Sequence, residues 1–252
     1  MISREKFVSR YLERIGCRGG LTPCLETLVE LQRQHVYSIP FENLDILAQV
    51  PPNLDRDYLF DKLVNRRRGG VCYELNTSFF NLLTALGFSA RQISGRCYFD
   101  TPLTGHVFTL VHLPEGDFIA DVGFGDNPVP VLSAEPGPAV EGYHAISWTE
   151  RDEDGLLRLY QQRSGEESSF QYQFSLEPRR QEEFMDTFRF TAAPGNTKFS
   201  ERHMCCRFTP EGRISLLKGT LTIIAYNRVV ESRPIAPGAE TERCLREYFD
   251  LP

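Results

Sequence analysis

The stretch Arg68-Gly69-Gly70-Val71-Cys72-Tyr73-Glu74-Leu75-Asn76 places a cysteine just after two glycines and at the start of a predicted helix. The glycines let the backbone turn sharply and approach a ligand closely. Apolar residues then recur in steps of three and four, which predicts one inward helix face. That face carries Cys72, Leu75, Phe79, Leu82 and Leu86. A thiol in the first turn lies at the positive end of the helix dipole, which lowers its pKa. Cys72 is therefore a candidate nucleophile, and a small core residue is the alternative.

The periodicity of the chain changes shortly after this stretch. Up to residue 88, apolar residues recur at helical spacing. Beyond it, alternating patterns predict strands, among them Arg91 to Phe99, His106 to Leu113 and Phe118 to Val122. From residue 191 strand-like and helical patterns are mixed. Helices followed by strands predict an α+β fold with segregated layers, not a doubly wound sheet.

The overall composition excludes several classes of protein. The 252 residues include 28 Lys and Arg against 34 Asp and Glu, which gives a formal net charge of −6. Such a charge argues against a nucleic-acid binder, which needs a basic surface. The sequence has no apolar run near the roughly 20 residues of a membrane span, and the charged start MISREKFVSR argues against export. We therefore expect a cytoplasmic protein that binds neither nucleic acid nor a membrane.

The cysteines give a second indication of the compartment. There are seven, and their odd number and irregular spacing do not indicate a disulfide framework. No Cys-x-x-Cys pair occurs, and no metal site is predicted. In a reducing cytoplasm, a cysteine is either an inert small hydrophobe or a reactive thiolate.

A thiolate nucleophile needs a base and a group that orients this base. His106 opens an apolar strand, and Asp121 lies in Ile119-Ala120-Asp121-Val122, where a core carboxylate needs a partner. If the hairpin turns at Glu115-Gly116, the two side chains share a face of the sheet. In that register they are offset by four residues, roughly 13 Å. A bulge or a change of register would have to bring them together.

Six further segments accompany the cysteine stretch in a fixed order along the chain. They are Arg10-Tyr11-Leu12 with Arg14-Ile15, His35, Ile39-Pro40-Phe41-Glu42-Asn43-Leu44, Gly105-His106, Asp121-Val122-Gly123-Phe124-Gly125 and Phe208-Thr209-Pro210-Glu211-Gly212-Arg213. Together with residues 68–76, they resemble the arylamine N-acetyltransferase family. The resemblance implies a helical bundle at residues 1–88, an antiparallel β-barrel at 89–190 and an α/β lid at 191–252. The bundle would carry the nucleophile and the barrel the histidine and aspartate.

The resemblance also implies a catalytic triad of Cys72, His106 and Asp121, in the chain order of the transglutaminase-like thiol enzymes. The implied reaction is acetyl-CoA-dependent N-acetylation of arylamines and arylhydrazines by double displacement, through an acetyl-cysteine. Acetyl-CoA is then a co-substrate, and neither a metal nor an obligatory protein partner is expected. The predicted substrate- and CoA-binding residues are Phe41, Thr104, Gly105, Phe124 and Gly125.

Two of these residues also have a structural interpretation. Phe41 and Phe124 could form aromatic walls that exclude water and stack an aryl ring, or they could be ordinary core residues.

Three alternative functions remain open. An amide synthase of the same family would take an acyl chain from a carrier protein or a polyketide instead of acetyl-CoA. A transglutaminase-like thiol hydrolase would use the same triad on peptides. A catalytically silent binding module would have no need of the thiol, so the presence of all three triad residues argues against it.

Overall fold

The computed structural model describes residues 2–18, 21–97, 104–125 and 127–252. Within these ranges the chain forms seven α-helices, five of which precede the first long strand. They are α1 (Arg4–Ile15), α2 (Leu25–Ser38), α3 (Leu44–Leu47), α4 (Arg56–Phe60), α5 (Cys72–Leu86), α6 (Gln181–Ala192) and α7 (Ala239–Phe249). A π-helical segment, Asp61–Asn65, continues α4, and a 3₁₀ turn covers Lys198–Ser200.

The strands of the described residues are mostly short. They are β1 (Phe41–Glu42), β2 (Ser89–Arg96), β3 (His106–Leu113), β4 (Gly116–Ala120), β5 (Leu132–Ser133), β6 (Val140–Glu141), β7 (Ile146–Arg151), β8 (Leu157–Gln162), β9 (Ser169–Phe174), β10 (Met204–Phe208), β11 (Gly212–Leu217), β12 (Thr220–Ala225) and β13 (Arg228–Pro234). Eight of them form an antiparallel sheet in the order β5-β4-β3-β2-β9-β8-β7-β6, which curls into a nearly closed barrel. The other five form a second antiparallel sheet in the order β1-β10-β11-β12-β13.

Helix α5 is the element that carries the predicted nucleophile. It begins at Cys72, as predicted, and ends before Gly87, whose φ of 96° suits glycine. On its inward face Leu75, Phe79 and Leu82 are fully buried in the core that α5 shares with the other N-terminal helices and the back of the barrel. Burial of each such side chain contributes about 1.5–3 kcal/mol, which fixes the rotation of α5 about its axis.

The predicted α+β fold is confirmed, with two local differences. The pattern from Leu221 to Val230 predicts a single strand, but β12 and β13 divide this stretch, because Tyr226 and Asn227 have positive φ values and reverse the chain. The helical spacing of apolar residues predicts one helix over about 54–67, which in the structure is α4 followed by the π-helical segment. The end of the predicted strand at 91–99 includes Tyr98 and Phe99, which lie outside the described residues.

One contact links the beginning of the chain to its end. Strand β1 pairs with β10, so that Phe41 lies opposite Cys206 in the five-stranded sheet. The helical region thus contributes a strand to the C-terminal sheet, and the division into three parts at residues 88 and 190 stays a prediction. Over the described ranges, no helix has both the length and the apolar composition needed to cross a membrane.

Candidate active site

Cys72 is the first residue of α5 and is partly exposed. The loop before it packs tightly against the rest of the protein. A Cβ on Gly69 would lie 2.0 Å from the carbonyl oxygen of Pro40, and one on Gly70 would lie 2.7 Å from the Oε2 atom of Glu74. The two glycines are therefore needed because the loop packs closely against Pro40 and Glu74 of the same chain. The sequence had suggested instead that they let the backbone approach a ligand.

A buried cluster of charged side chains includes residues that come before this loop and a residue that comes after it. Lys62 Nζ is 2.6 Å from Glu74 Oε1 and 2.8 Å from Asp45 Oδ2, and the Lys62 side chain is almost completely buried. Arg68 pairs at 2.8 Å with both Asp45 and Glu42. Removal of one charge from such a cluster leaves the others uncompensated, which makes it strongly destabilising. The cluster therefore fixes the residues before and after Cys72.

His106 and Asp121 are in direct contact, although the sequence placed them roughly 13 Å apart. His106 Nε2 lies 2.7 Å from Asp121 Oδ2, and both side chains are buried. The predicted register of the hairpin was wrong by two residues, because Thr109 pairs with Ala120. The true offset is two residues, or about 7 Å in a regular ladder. Strand β4 ends at Ala120, so Asp121 leaves the ladder and turns toward His106.

The Asp121 carboxylate accepts four hydrogen bonds. His106 and the Tyr172 hydroxyl donate to Oδ2 at 2.7 and 3.1 Å. The Asn76 amide and the Gly123 backbone N–H donate to Oδ1 at 2.9 and 3.0 Å. Burial alone raises the pKa of Asp121, but the charge of His106 and these hydrogen bonds outweigh it and lower the pKa below its ordinary value. The carboxylate thus stays ionised and keeps the ring proton of His106 on Nε2.

Sequence reasoning did not assign roles to the residues that hold Asp121. Asn76 donates to the carbonyl oxygen of Val107 at 2.7 Å and accepts a hydrogen bond from the backbone N–H of Val122 at 2.9 Å. It therefore links α5 both to β3, which carries His106, and to the segment after β4, which carries Asp121. Gln32 Oε1 accepts the backbone N–H of Asp121 at 3.0 Å. Asn76 lies four residues after Cys72 on one helix face, a signal that could have identified it. Nothing in the sequence around Gln32 indicates its contact.

The thiol of Cys72 lies in a less favourable environment than its place in the helix suggested. Burial, and then the nearby Cys97 and Asp121, raise the pKa of Cys72 well above its ordinary value. The backbone N–H groups of Tyr73 and Val107 act in the opposite direction but are outweighed. The predicted low pKa is therefore wrong, because burial exceeds the effect of the helix terminus. A thiolate here requires a base close by to take the proton.

The three predicted triad residues converge on the start of α5. A Cβ on Gly123, two residues after Asp121, would lie 2.8 Å from Cys72 Cα. The Tyr73 hydroxyl donates to the carbonyl oxygen of Gly105, directly before His106, at 3.2 Å. Cys72 thus lies between the β3 and β4 ends of the barrel, beside the His106–Asp121 pair.

The five predicted binding residues lie around this point. The Phe124 ring is partly exposed, with its centroid 5.0 Å from that of His106, and Gly125 follows with a φ of 59°. The Thr104 hydroxyl is 2.6 Å from that of Thr187 on α6, next to Gly105.

Phe41 approaches the site from the side of the nucleophile loop. It is mostly buried, stands 6.2 Å from the Phe199 ring, and forms a backbone bridge with Gly70. For all five residues, contact with a substrate or with CoA stays a prediction.

Comparison with known proteins gives one consistent family. A family model described as N-acetyltransferase matches residues 24–252. The arylamine N-acetyltransferase of Escherichia coli is 29% identical over 253 residues, covering 97% of this chain and 88% of that protein. Proansamycin X synthase of Amycolatopsis mediterranei is 30% identical over 220 residues, covering 83% and 84%. The solved structure of Mycobacterium marinum arylamine N-acetyltransferase in complex with CoA is 29% identical, with a TM-score of 0.89, covering 97% of this chain and 92% of that one. The chain is an acyltransferase and belongs to the arylamine N-acetyltransferase family.

Proposed function

We propose that the protein moves an acetyl group from acetyl-CoA to an arylamine or arylhydrazine, through an acetylated Cys72. The observation that carries the proposal is the buried 2.7 Å contact between His106 and Asp121 at the start of α5. The names of the relatives support an arylamine acceptor, and the CoA in the Mycobacterium marinum structure supports the donor.

In the first step His106 acts as the base. With its proton on Nε2 facing Asp121, the ring can accept the Cys72 proton on Nδ1, which gives a thiolate beside an imidazolium. This pairing offsets the burial that raises the thiol pKa. The sulfur attacks the thioester carbonyl, the carbon–sulfur bond to CoA breaks, and His106 returns the proton to the CoA sulfur.

In the second step the amine attacks the acetyl-Cys72 carbonyl. His106 takes the amine proton, the bond to Cys72 breaks, and the thiol is restored as the proton passes back. Water must stay out, because it would hydrolyse the acetyl-enzyme. Phe124, which covers one side of the His106 ring, is suited to this role and to stacking the aryl group.

The experiment that tests this proposal is a set of initial rates with acetyl-CoA varied at several fixed arylamine concentrations. Double displacement predicts parallel lines in double-reciprocal plots. Lines that intersect to the left of the axis would require both substrates to be bound together, and would contradict the proposal.

A second candidate function is supported by the similarity to proansamycin X synthase. In that function Cys72 would accept a longer acyl chain from a carrier or a polyketide. The two candidates are separated by loading rates with acetyl-CoA and with long-chain acyl pantetheine thioesters. If acetylation is the function, acetyl-CoA should acylate Cys72 faster than the long-chain thioesters do. If amide synthesis is the function, acetyl-CoA should acylate Cys72 more slowly than they do.

The same experiment addresses the hydrolase alternative. A thiol hydrolase would release CoA continuously without any amine, whereas the acetyltransferase should release about one equivalent and then stop. We also propose a reducing cytoplasm as the compartment, because none of the seven cysteines, all of which lie in the described ranges, forms a disulfide.

A further inference from the structure

A second cysteine faces the inside of the barrel beside the triad. Strands β2 and β3 pair so that Gly95 lies opposite His106. Cys97 directly follows Arg96, the last residue of β2, and continuing the alternation of the strand places its side chain on the same face as position 95. In agreement, Cys97 packs against the barrel core that includes Phe108 and Tyr172. The Cys97 thiol therefore points to the same side of the sheet as the His106 ring.

The other neighbour of β2 gives the same position. Arg96 lies opposite Gln173 of β9, so the next step along both strands brings Cys97 toward Tyr172. The Tyr172 hydroxyl donates to Asp121 at 3.1 Å. Burial and the charge of Asp121 raise the pKa of Cys97 to about 12, which agrees with a thiol at the edge of the triad.

Cys72, the first residue of α5, lies close to the same end of the barrel. Tyr73, the next residue, donates from its hydroxyl to the carbonyl oxygens of Thr104 and Gly105 at 3.3 and 3.2 Å. Continuing the β2–β3 register places Cys97 across from Thr104. The register and the Tyr73 contacts thus place both thiols at the same end of β2 and β3, and the charge of Cys97 is among those that raise the pKa of Cys72.

We propose that Cys97 is a resolving cysteine, which captures Cys72 as an intramolecular disulfide when a peroxide has oxidised the nucleophile. The disulfide would preserve Cys72 in a form that thiol reductants restore. The other five cysteines lie on different elements: Cys17 and Cys24 flank α1 and α2, Cys205 and Cys206 are on β10, and Cys244 is on α7.

The chemistry requires one peroxide and no other reactant. The Cys72 thiolate attacks one oxygen of hydrogen peroxide, a sulfur–oxygen bond forms and the oxygen–oxygen bond breaks. The departing hydroxide takes the proton that His106 received from Cys72 and leaves as water. The Cys97 sulfur then attacks the sulfenic sulfur. A disulfide forms, the sulfur–oxygen bond breaks, and the departing hydroxide takes the Cys97 proton to become water. The two thiols together lose two electrons to the peroxide.

The test treats the full chain with hydrogen peroxide, removes the excess with catalase, alkylates the remaining thiols and maps the peptides by mass spectrometry. Wild type should lose the mass of two hydrogen atoms and give a cross-linked peptide that contains Cys72 and Cys97. Dithiothreitol should then restore its activity. Cys97→Ser should instead gain two or three oxygen atoms on Cys72 and recover about tenfold less activity. Cys17→Ser, which changes another partly exposed cysteine, should behave as wild type.

The outcomes separate this inference from the proposed function. A wild-type map with Cys72 over-oxidised and no cross-linked peptide would overturn the inference, and so would equal recovery of wild type and Cys97→Ser. The peptide map of wild type needs no folded variant and no substrate. A cross-link formed in a protein that never becomes acetylated would support the inference and count against acetyl transfer.

Discussion

Replacing Asp121 with asparagine is expected to move the proton of His106 to the wrong nitrogen. Asn76 and Gly123 both donate to Oδ1, so the oxygen of the new amide must stay there. The amide NH₂ then takes the place of Oδ2, 2.7 Å from His106 Nε2, and donates to it. The ring proton shifts to Nδ1, where it prevents the ring from accepting the proton of Cys72.

The size of the effect follows from this tautomer change. In serine triads the equivalent substitution lowers kcat by about 10⁴, which corresponds to roughly 5.5 kcal/mol of activation free energy. The variant should still fold, because the Tyr172 hydroxyl can rotate and accept from the amide. The lost charge-assisted hydrogen bonds should cost about 1–3 kcal/mol of unfolding free energy.

The assay is single-turnover acetylation by acetyl-CoA, quenched in time and read by intact mass. The hairpin itself supplies a matched control, because Asp117 lies 2.7 Å from Nδ1 of His112 in an exposed pair. Asp117→Asn should acetylate within about twofold of wild type, since exposed pairs contribute little. A folded Asp121→Asn protein that acetylates within about tenfold of wild type would refute this role for Asp121.

Two further predictions concern a close contact and a buried histidine. Gly123→Ala would put a Cβ 2.8 Å from Cys72 Cα, so we expect a loss of about 1–3 kcal/mol in urea unfolding and about 10²-fold in acetylation. Gly137→Ala, whose Cβ would meet nothing closer than 3.8 Å, should change neither, and normal acetylation by Gly123→Ala would contradict the argument. Burial lowers the pKa of His35 to about 3 in the folded protein. As the pH falls below about 6.5, His35 is therefore protonated in the unfolded chain but not in the folded one, and the folded state loses stability until the pH reaches its folded-state pKa. Between about pH 6.5 and 4.5, the free energy of unfolding should fall by about 1–3 kcal/mol more in wild type than in His35→Gln. His112→Gln, which changes an exposed histidine, is the control and should behave as wild type. The same pH dependence of unfolding free energy in wild type and His35→Gln would show that His35 is not the cause.

The sequence predicted the kinds of residue in the site better than their distances. Cys72 at a helix start, and a carboxylate within an apolar segment, are both local features that a pattern displays. The contact between His106 and Asp121 is not local, because it depends on the hairpin register and on the end of β4 at Ala120. A two-residue error in the turn was enough to double the predicted offset between them.

Other features depend on parts of the chain that are far apart in sequence. The pKa of Cys72 is set by burial under the barrel, which helix position alone does not reveal. Gln32 reaches Asp121 across 89 positions. Strand β1 has two residues and is defined only by its partner β10, so no alternation could predict it. Long, periodic elements such as α5 and β3 needed no such information.

The measurement that tests the account most directly is the intact mass of the protein after mixing with acetyl-CoA in the absence of any amine. Wild type should gain one acetyl group that maps to Cys72, and an added arylamine should remove it with formation of the N-acetyl product. Cys72→Ala should gain none. An unmodified wild-type protein, or the same acetyl label on Cys72→Ala, would contradict acyl transfer through Cys72.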